Sequence, residues 1–303
     1  MPLSIQTQGS TARLLQEGVN AVATLFYEAL PMEYDKIFET YGSEKAYEID
    51  VSMSGIGLAA LKPEGTSIGY DAEKQDWTTT YTNAVYAIGS IATMEALMNN
   101  KYQDVADTIG KCLARSLVHT DEQLAADVVN NGFSSSFNLA DGVPLFSTAH
   151  VLGKGGTFSN RFSSFTALSQ AAIEDALTAL EDYRDGANLL IDAKAVSLHI
   201  PRQLRWIADR ILKSRYEPNS ANVATINPIS DIFPEGYHVN HRFTTTEDWF
   251  VKTNVENGFK IFTRMGYTFE QDNDFGTSNL RYKGMFYKSY GVTDPRCVYS
   301  SGT

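Results

Sequence analysis

Tyr47-Glu-Ile-Asp-Val-Ser-Met-Ser-Gly-Ile-Gly-Leu-Ala-Ala-Leu61 leads through Pro63-Glu-Gly65 and Gly69 to Trp77-Thr-Thr-Thr-Tyr81, and this stretch decides the fold. Tyr47, Ile49, Val51 and Met53 alternate with polar residues, the period of a strand with two unlike faces. Trp77–Tyr81 is rich in strand formers, and the Pro and Gly residues between the two runs are turn chemistry. The segment from residue 47 to about residue 86 therefore reads as a long two-stranded excursion. It holds too few apolar side chains for a core of its own. Such an arm must rest on something else, most simply on another copy of the chain.

Beyond the excursion comes the strongest helix signal, from about Met98 to Asn130. Tyr102, Val105, Ala106, Ile109, Cys112, Leu113 and Leu117 form one face, continued by Leu124, Ala125, Val128 and Val129. Gln103, Asp104, Asp107, Thr108, Lys111 and Arg115 take the other. A continuous helix of this span is ~50 Å long at 1.5 Å per residue, unusual for a compact enzyme domain. The alternative is a second helix restarting at Thr120-Asp-Glu122; Asn131-Gly132 ends the element either way.

Before the excursion, Leu14, Leu15, Val19, Val22, Leu25, Phe26 and Ala29 fall at helical spacing up to Pro31, interrupted by Gly18. Residues 132–165 are loop with short strands. Ser169 is placed to cap a helix carrying Ile173, Ala176, Leu177 and Leu180, which Gly186 closes. The strand Ala195–Ile200 leads into Pro201 as the first residue of a helix with Leu204, Ile207, Ala208, Ile211 and Leu212 on one face. The remainder, from Phe243 through Trp249-Phe250-Val251 and Phe259-Lys-Ile-Phe262 to Tyr290, alternates like β structure. No internal repeat occurs, and the fold class is α+β.

Composition bounds the function. A chain of 303 residues makes about two domains or one elaborate one, and 43% hydrophobic with 20% charged residues excludes a disordered chain. The 16 Phe, 16 Tyr and 3 Trp suit extensive subunit interfaces. A net charge of −11 argues against nucleic-acid binding driven by charge neutralisation. Cys112 and Cys297 are too few for a disulfide framework and read as two reduced thiols or one pair. The longest apolar or glycine run, Gly55–Leu61, is far short of the ~20 residues of a membrane span, and Met1–Arg13 lacks the marks of a secretory signal. No membrane association is expected, and the protein is expected to stay inside a cell.

The candidate chemistry is thin. Ser147-Thr-Ala-His150, with Asp141 nearby, offers the residue types of a nucleophilic triad but lacks the G-x-S-x-G elbow; the expected reading is a loop held by side-chain hydrogen bonds. Gly153-Lys-Gly-Gly-Thr157 fails the spacing of a phosphate loop, since Lys154 is followed by Gly155. His238 and His241 need a third ligand to hold a metal, and on a strand they point to opposite faces. Arg202, Arg205 and Arg210 lie on the polar face of a short helix, as solvated or intersubunit charges. No catalytic residue, cofactor-binding residue or metal ligand is assigned, and no cofactor is expected.

Gly142-Val-Pro-Leu-Phe-Ser-Thr-Ala-His150 resembles the segment after the spine helix in tailed-bacteriophage head proteins. Leu198-His-Ile-Pro-Arg-Gln-Leu204, with Ala208 and Ile211-Leu-Lys-Ser214, resembles their axial-domain strand and helix. Asp248-Trp249-Phe250 and the terminal Asp294-Pro295-Arg296 resemble their closing part. With the order of elements, the chain from about residue 12 to 300 is similar to the major capsid protein family of the Hong Kong 97-type fold. The resemblance implies an N-arm over 1–46 and an extended β-hairpin E-loop over 47–82. It also implies a peripheral domain with the long spine helix over 83–186 and 260–290, and an axial domain over 187–259 and 291–303. Ile56, Leu58, Leu61 and Ile68, at the E-loop tip, are the expected inter-subunit contacts. The implied partners are the chain itself in pentamers and hexamers, a separate scaffolding protein, a portal, decoration proteins, and packaged DNA bound without sequence specificity. Assembly in a bacterial host's cytoplasm and a place in the virion are implied with them. An encapsulin-like nanocompartment shell and a soluble serine hydrolase using Ser147 and His150 are the alternatives.

Overall fold

The computed structural model describes residues 30–93, 102–216, 226–274, 276, 277 and 279–302, with the backbone alone over 102–107. The helix expected over 12–30 lies outside them apart from its last residue. In chain order the elements are β1 (Glu39–Gly42), β2 (Tyr47–Ser54), β3 (Lys74–Thr82), β4 (Ala84–Ala92), α1 (Tyr102–Asn130), β5 (His150–Val151), β6 (Thr157–Phe158), α2 (Gln170–Glu181), β7 (Ala195–Pro201), α3 (Arg205–Leu212), β8 (Tyr237–Asn240), β9 (Trp249–Thr253), β10 (Phe259–Asn273), β11 (Leu280–Val292) and β12 (Val298–Ser301).

One sheet has the order β1-β10-β11-β4, with β1 parallel to β10 and the other pairs antiparallel. Helix α1 covers it: Leu113, Ala114 and Leu117 pack with Ala92, Phe269, Leu280, Tyr282 and Phe286. The helix is continuous, about 44 Å long at 1.5 Å per residue. Thr120 does not restart it, since its hydroxyl donates to the Ser116 carbonyl one turn back at 2.9 Å. Cys112, expected on the apolar face, is exposed, because at 100° per residue it lies across the helix from Leu117 and Val118.

Asp121 and Glu122, inside that helix, are buried. A buried carboxylate is tolerated only when paired and hydrogen-bonded. Asp121 takes Lys288 of β11 at 2.6 Å, the Tyr290 hydroxyl at 2.5 Å and the Tyr267 hydroxyl. Glu122 accepts from the Glu33 backbone N–H at 2.5 Å and lies 3.5 Å from Arg242, which is also 3.5 Å from the Glu33 carboxylate. Burial pushes the Glu122 carboxyl from 4.5 up to about 7. The folded chain thus holds that proton more tightly than the unfolded one. This contribution to stability is full below pH 4.5 and is lost as the pH rises to 7. Glu122→Gln keeps an acceptor for Glu33 and cannot ionise. Its melting curves at pH 5 and pH 8 are expected to show about 2 kcal/mol less decline than wild type; an identical decline in both proteins would contradict this.

The expected N-arm, 1–46, is packed over its second part. Tyr34, Ile37 and Phe38 are buried with Ala125, Val129, Phe259 and Ile261, and β1 extends the sheet beyond β10. Three apolar residues within five positions, at the foot of α1, have a core to enter.

The second sheet has the order β12-β9-β7-β8. Helices α2 and α3 bury Ile173, Ala176, Leu180, Ala208 and Ile211 in one cluster with Leu198, Ile200, Trp249 and Val251 of its strands. Ser169 caps α2, its Oγ accepting from the Ala172 N–H at 3.2 Å. Gly186 does not close α2, which ends at Glu181; it lies in the next turn, where Asp185 accepts from Ala187 and Leu189. Pro201 ends β7 instead of starting the helix, and a 3-10 turn over Arg202–Leu204 delays α3 to Arg205. The boundary expected at residue 187 separates α2 from the sheet on which it packs.

Candidate assembly interface

Strands β2 and β3 form an antiparallel hairpin from Tyr47↔Thr82 to Ser54↔Lys74, joined by the irregular residues 55–73. Its root is fixed to the body. Trp77 Nε1 donates to the Thr293 carbonyl at 2.9 Å, and the Tyr81 hydroxyl shares a hydrogen bond with Thr293 Oγ1 at 2.7 Å. Asp50 of β2 accepts from Thr293 Oγ1 at 2.7 Å and from the Lys260 ammonium. Asn83 donates to Ser43 Oγ and accepts from Ser289 Oγ, each at 2.9 Å, tying the exit of β3 to the first sheet.

Behind Trp77 sits Arg296, its guanidinium 5.9 Å from the indole ring. It forks onto Asp294 through Nε at 2.8 Å and Nη2 at 2.7 Å and donates to the Arg184 carbonyl at 3.2 Å. Desolvation lowers and Asp294 raises the Arg296 pKa, the net direction being upward. Neighbouring Asp76 presses its carboxyl against Gly153 and Gly186, where an added Cβ would lie 1.4 Å and 2.4 Å from its oxygens. At Gly186 the Ser54 Cα, 2.9 Å away, also blocks a side chain. Burial raises the Asp76 pKa, with Arg296 and Lys154 acting against it.

The far end of the hairpin has no such anchorage. Leu58 is 85% exposed, Leu61 94%, Ile56 53% and Ile68 54%. Tyr47, Ile49, Val51 and Met53, the apolar stripe of β2, also face away from their own subunit, while Asp50 and Ser54 turn inward. Apolar groups are thus displayed along the whole arm, and the polar side holds it to the body. One clasp reaches the connection: Lys154 pairs with Asp71 at 2.7 Å. That hydrogen bond, with the Gly57 and Ala72 N–H groups, holds the Asp71 carboxyl down at about 2. The loop Gly153–Thr157, whose spacing already failed a phosphate cradle, supplies this clasp.

The other chemical candidates resolve into structural bonds. His150 turns Nδ1 to Asp141 at 2.5 Å and Nε2 to the Leu145 carbonyl at 3.1 Å, with His150 and Asp141 both buried. Ser147 Oγ accepts from the Ala149 N–H at 3.2 Å. The ring nitrogen that a triad needs beside the hydroxyl faces a backbone carbonyl instead. His238 packs its ring 5.3 Å from that of His199, and His241 pairs with Glu33 at 2.7 Å. Among the described residues no cluster of three metal-ligating side chains occurs, and no helix is long and apolar enough to cross a membrane. Sequence reading missed Asp294–Arg296 as the hub beneath the hairpin, although an acid and a base flanking Pro295 were legible as a local pair.

No curated protein matches the chain. Among solved structures, a virus-like particle from Pyrococcus furiosus is similar over 94% of this chain and 98% of its own, at 11% identity and a TM-score of 0.56. The capsid of an empty GTA particle is similar over 88% of both chains, at 12% identity and a TM-score of 0.57. The procapsid of bacteriophage JBD30 is similar over 98% of this chain and 76% of its own, at 13% identity and a TM-score of 0.52. At these identities the likeness is one of fold, and the fold is the Hong Kong 97-type capsid fold. The profile of the phage capsid protein family matches residues 76–301, three quarters of the sequence, from the root of the hairpin to the last strand; the chain belongs to that family, a family of structural shell proteins.

Proposed function

We propose that this chain is the major capsid protein of a tailed-phage head, assembling into pentamers and hexamers that close an icosahedral shell around double-stranded DNA. The observation that carries this reading is a hairpin pinned at its root by buried bonds and bare at its tip. Heterologous contacts between identical subunits close into rings, and an arm that crosses to a neighbour links them. Ile56, Leu58, Leu61 and Ile68 are the side chains that the arm lays on the next subunit. The net charge of −11 suits a container that repels the phosphate backbone and leaves the genome free to move during filling. Scaffolding protein, portal and decoration proteins are its partners, assembly takes place in the host cytoplasm, and the chain performs no catalysis.

A nanocompartment shell is the second reading, favoured by the end-to-end likeness to the Pyrococcus furiosus particle. The contents of purified shells separate the two, nucleic acid for a head and protein cargo for a compartment. Sedimentation of the protein, alone and co-expressed with a scaffold, is expected to show rings or closed particles; a monomer under both conditions would overturn the proposal. Ser147→Ala is expected to lower stability by at most about 1 kcal/mol and to leave assembly and any background hydrolysis unchanged. Hydrolysis lost in that variant with assembly intact would revive the enzyme reading.

A further inference from the structure

The second sheet carries opposite charges on its two edges. Helix α2 packs on β12 at one edge. Helix α3 lies along β8 at the other, where Asp209 accepts from the Tyr237 hydroxyl at 2.8 Å and Lys213 sits 5.3 Å above the Tyr237 ring. The exposed face of α2 presents Glu174, Asp175 and Glu181, followed by Asp182 at its C-cap, and no basic residue. Residues 202–213 present Arg202, Arg205, Arg210 and Lys213, with Asp209 as their one acid, already engaged by Lys213 at 2.6 Å. Among the described residues no carboxylate lies within ion-pair distance of Arg202, Arg205 or Arg210, and no cation within it of Glu174, Asp175, Glu181 or Asp182. Trp206 stands in the middle of the basic face, 68% exposed, with the Arg205 guanidinium 5.4 Å from its ring.

We infer that copies of this chain meet head to tail, the basic face of α3 in one copy lying against the acidic face of α2 in the next. The pairing rests on the shell reading and says which surfaces close its rings. In a chain of net charge −11, a basic face finds complementary charge on another copy of itself. The carboxylates of α2 flank exposed Ala171 and Thr178, which follow the same helical stripe at 171, 174–175, 178 and 181–182. Small residues between acids leave a shallow bed for an indole, and a Trp ringed by Arg is the composition of an interface anchor. Because the two faces differ, the contact is heterologous and propagates around a ring.

Two surface variants test the pairing. Arg202→Glu, Arg205→Glu and Arg210→Glu together make residues 202–213 acidic, and Glu174→Arg, Asp175→Arg and Glu181→Arg together make α2 basic; all six side chains are exposed, and unchanged melting curves confirm that each variant folds. Neither variant alone is expected to form rings by sedimentation or negative stain, whereas a chain carrying all six changes assembles again. Mixing the two separate variants in equal amounts gives a sharper result. Each accepts only the other as neighbour, so only rings with an even number of subunits close: hexamers form and pentamers do not. Variants that assemble separately like wild type, or a mixture and a six-fold variant that both fail to assemble while folded, would overturn the pairing and leave the shell reading standing. Wild-type protein that never assembles would overturn the shell reading and the pairing together.

Discussion

Replacing residues 55–73 with Asn-Gly is expected to leave a folded subunit that no longer closes shells. Ser54 and Lys74 face each other at the end of the hairpin ladder, so a two-residue turn joins them without strain. None of the residues removed belongs to a buried core cluster. The intrachain loss is the Asp71–Lys154 pair, exposed at the carboxylate and screened by water. The intermolecular loss is far greater. Ile56, Leu58, Leu61 and Ile68 each contribute about 2 kcal/mol when buried on a neighbour, less the cost of ordering the connection. Repeated at every contact of a closed particle, that difference decides between free rings and shells. Circular dichroism with melting on the variant, beside electron microscopy of its assembly reaction, reads both halves. Normal shells from the shortened chain would show that the arm is not a contact between subunits, and an unfolded subunit would place residues 55–73 in the core.

Arg296→Ala is expected to destabilise the subunit by about 3–5 kcal/mol, the range for breaking a buried ion pair from one side. The Asp294 carboxylate would stay in place at 9% side-chain exposure with its forked partner gone. Asp76 would lose the stronger of the two cations that oppose its burial, the Arg184 carbonyl its donor, and the Trp77 ring its guanidinium cover. Arg296→Lys should recover only part of the loss, because an ammonium cannot make both parallel bonds. Urea unfolding of the three proteins measures the effect, and amide exchange along Trp77–Tyr81 shows whether the hairpin root loosens first. A loss below about 1 kcal/mol for Arg296→Ala would mean that water replaces the guanidinium and that the root is held elsewhere.

What the sequence shows of this molecule is local. The alternation of Tyr47, Ile49, Val51 and Met53 gives the arm, and the apolar period of the long helix gives α1, because both patterns lie within one element. Ser169 as a cap is legible for the same reason. What escapes it depends on distant partners. Trp77 and the Thr293 carbonyl are 216 residues apart, and Asp121 and Lys288 are 167. Thr120-Asp-Glu122 looks like the start of a helix because acids commonly open one. Here they are interior, and Lys288, two tyrosines and the Glu33 N–H supply what helix position alone does not. Along the hairpin the four tip residues are legible as apolar groups without a core, whereas the hub at Asp294 and Arg296 requires the fold that brings residues 76, 77, 184 and 294 together.

The most direct measurement is a cryo-electron microscopy reconstruction of the assembled protein, read at residues 55–73. Closed particles are expected in which Ile56, Leu58, Leu61 and Ile68 lie buried on an adjacent subunit, while Trp77 remains bonded to Thr293 of its own. Closed particles with those four side chains folded back on their own subunit, or left in solvent, would contradict it.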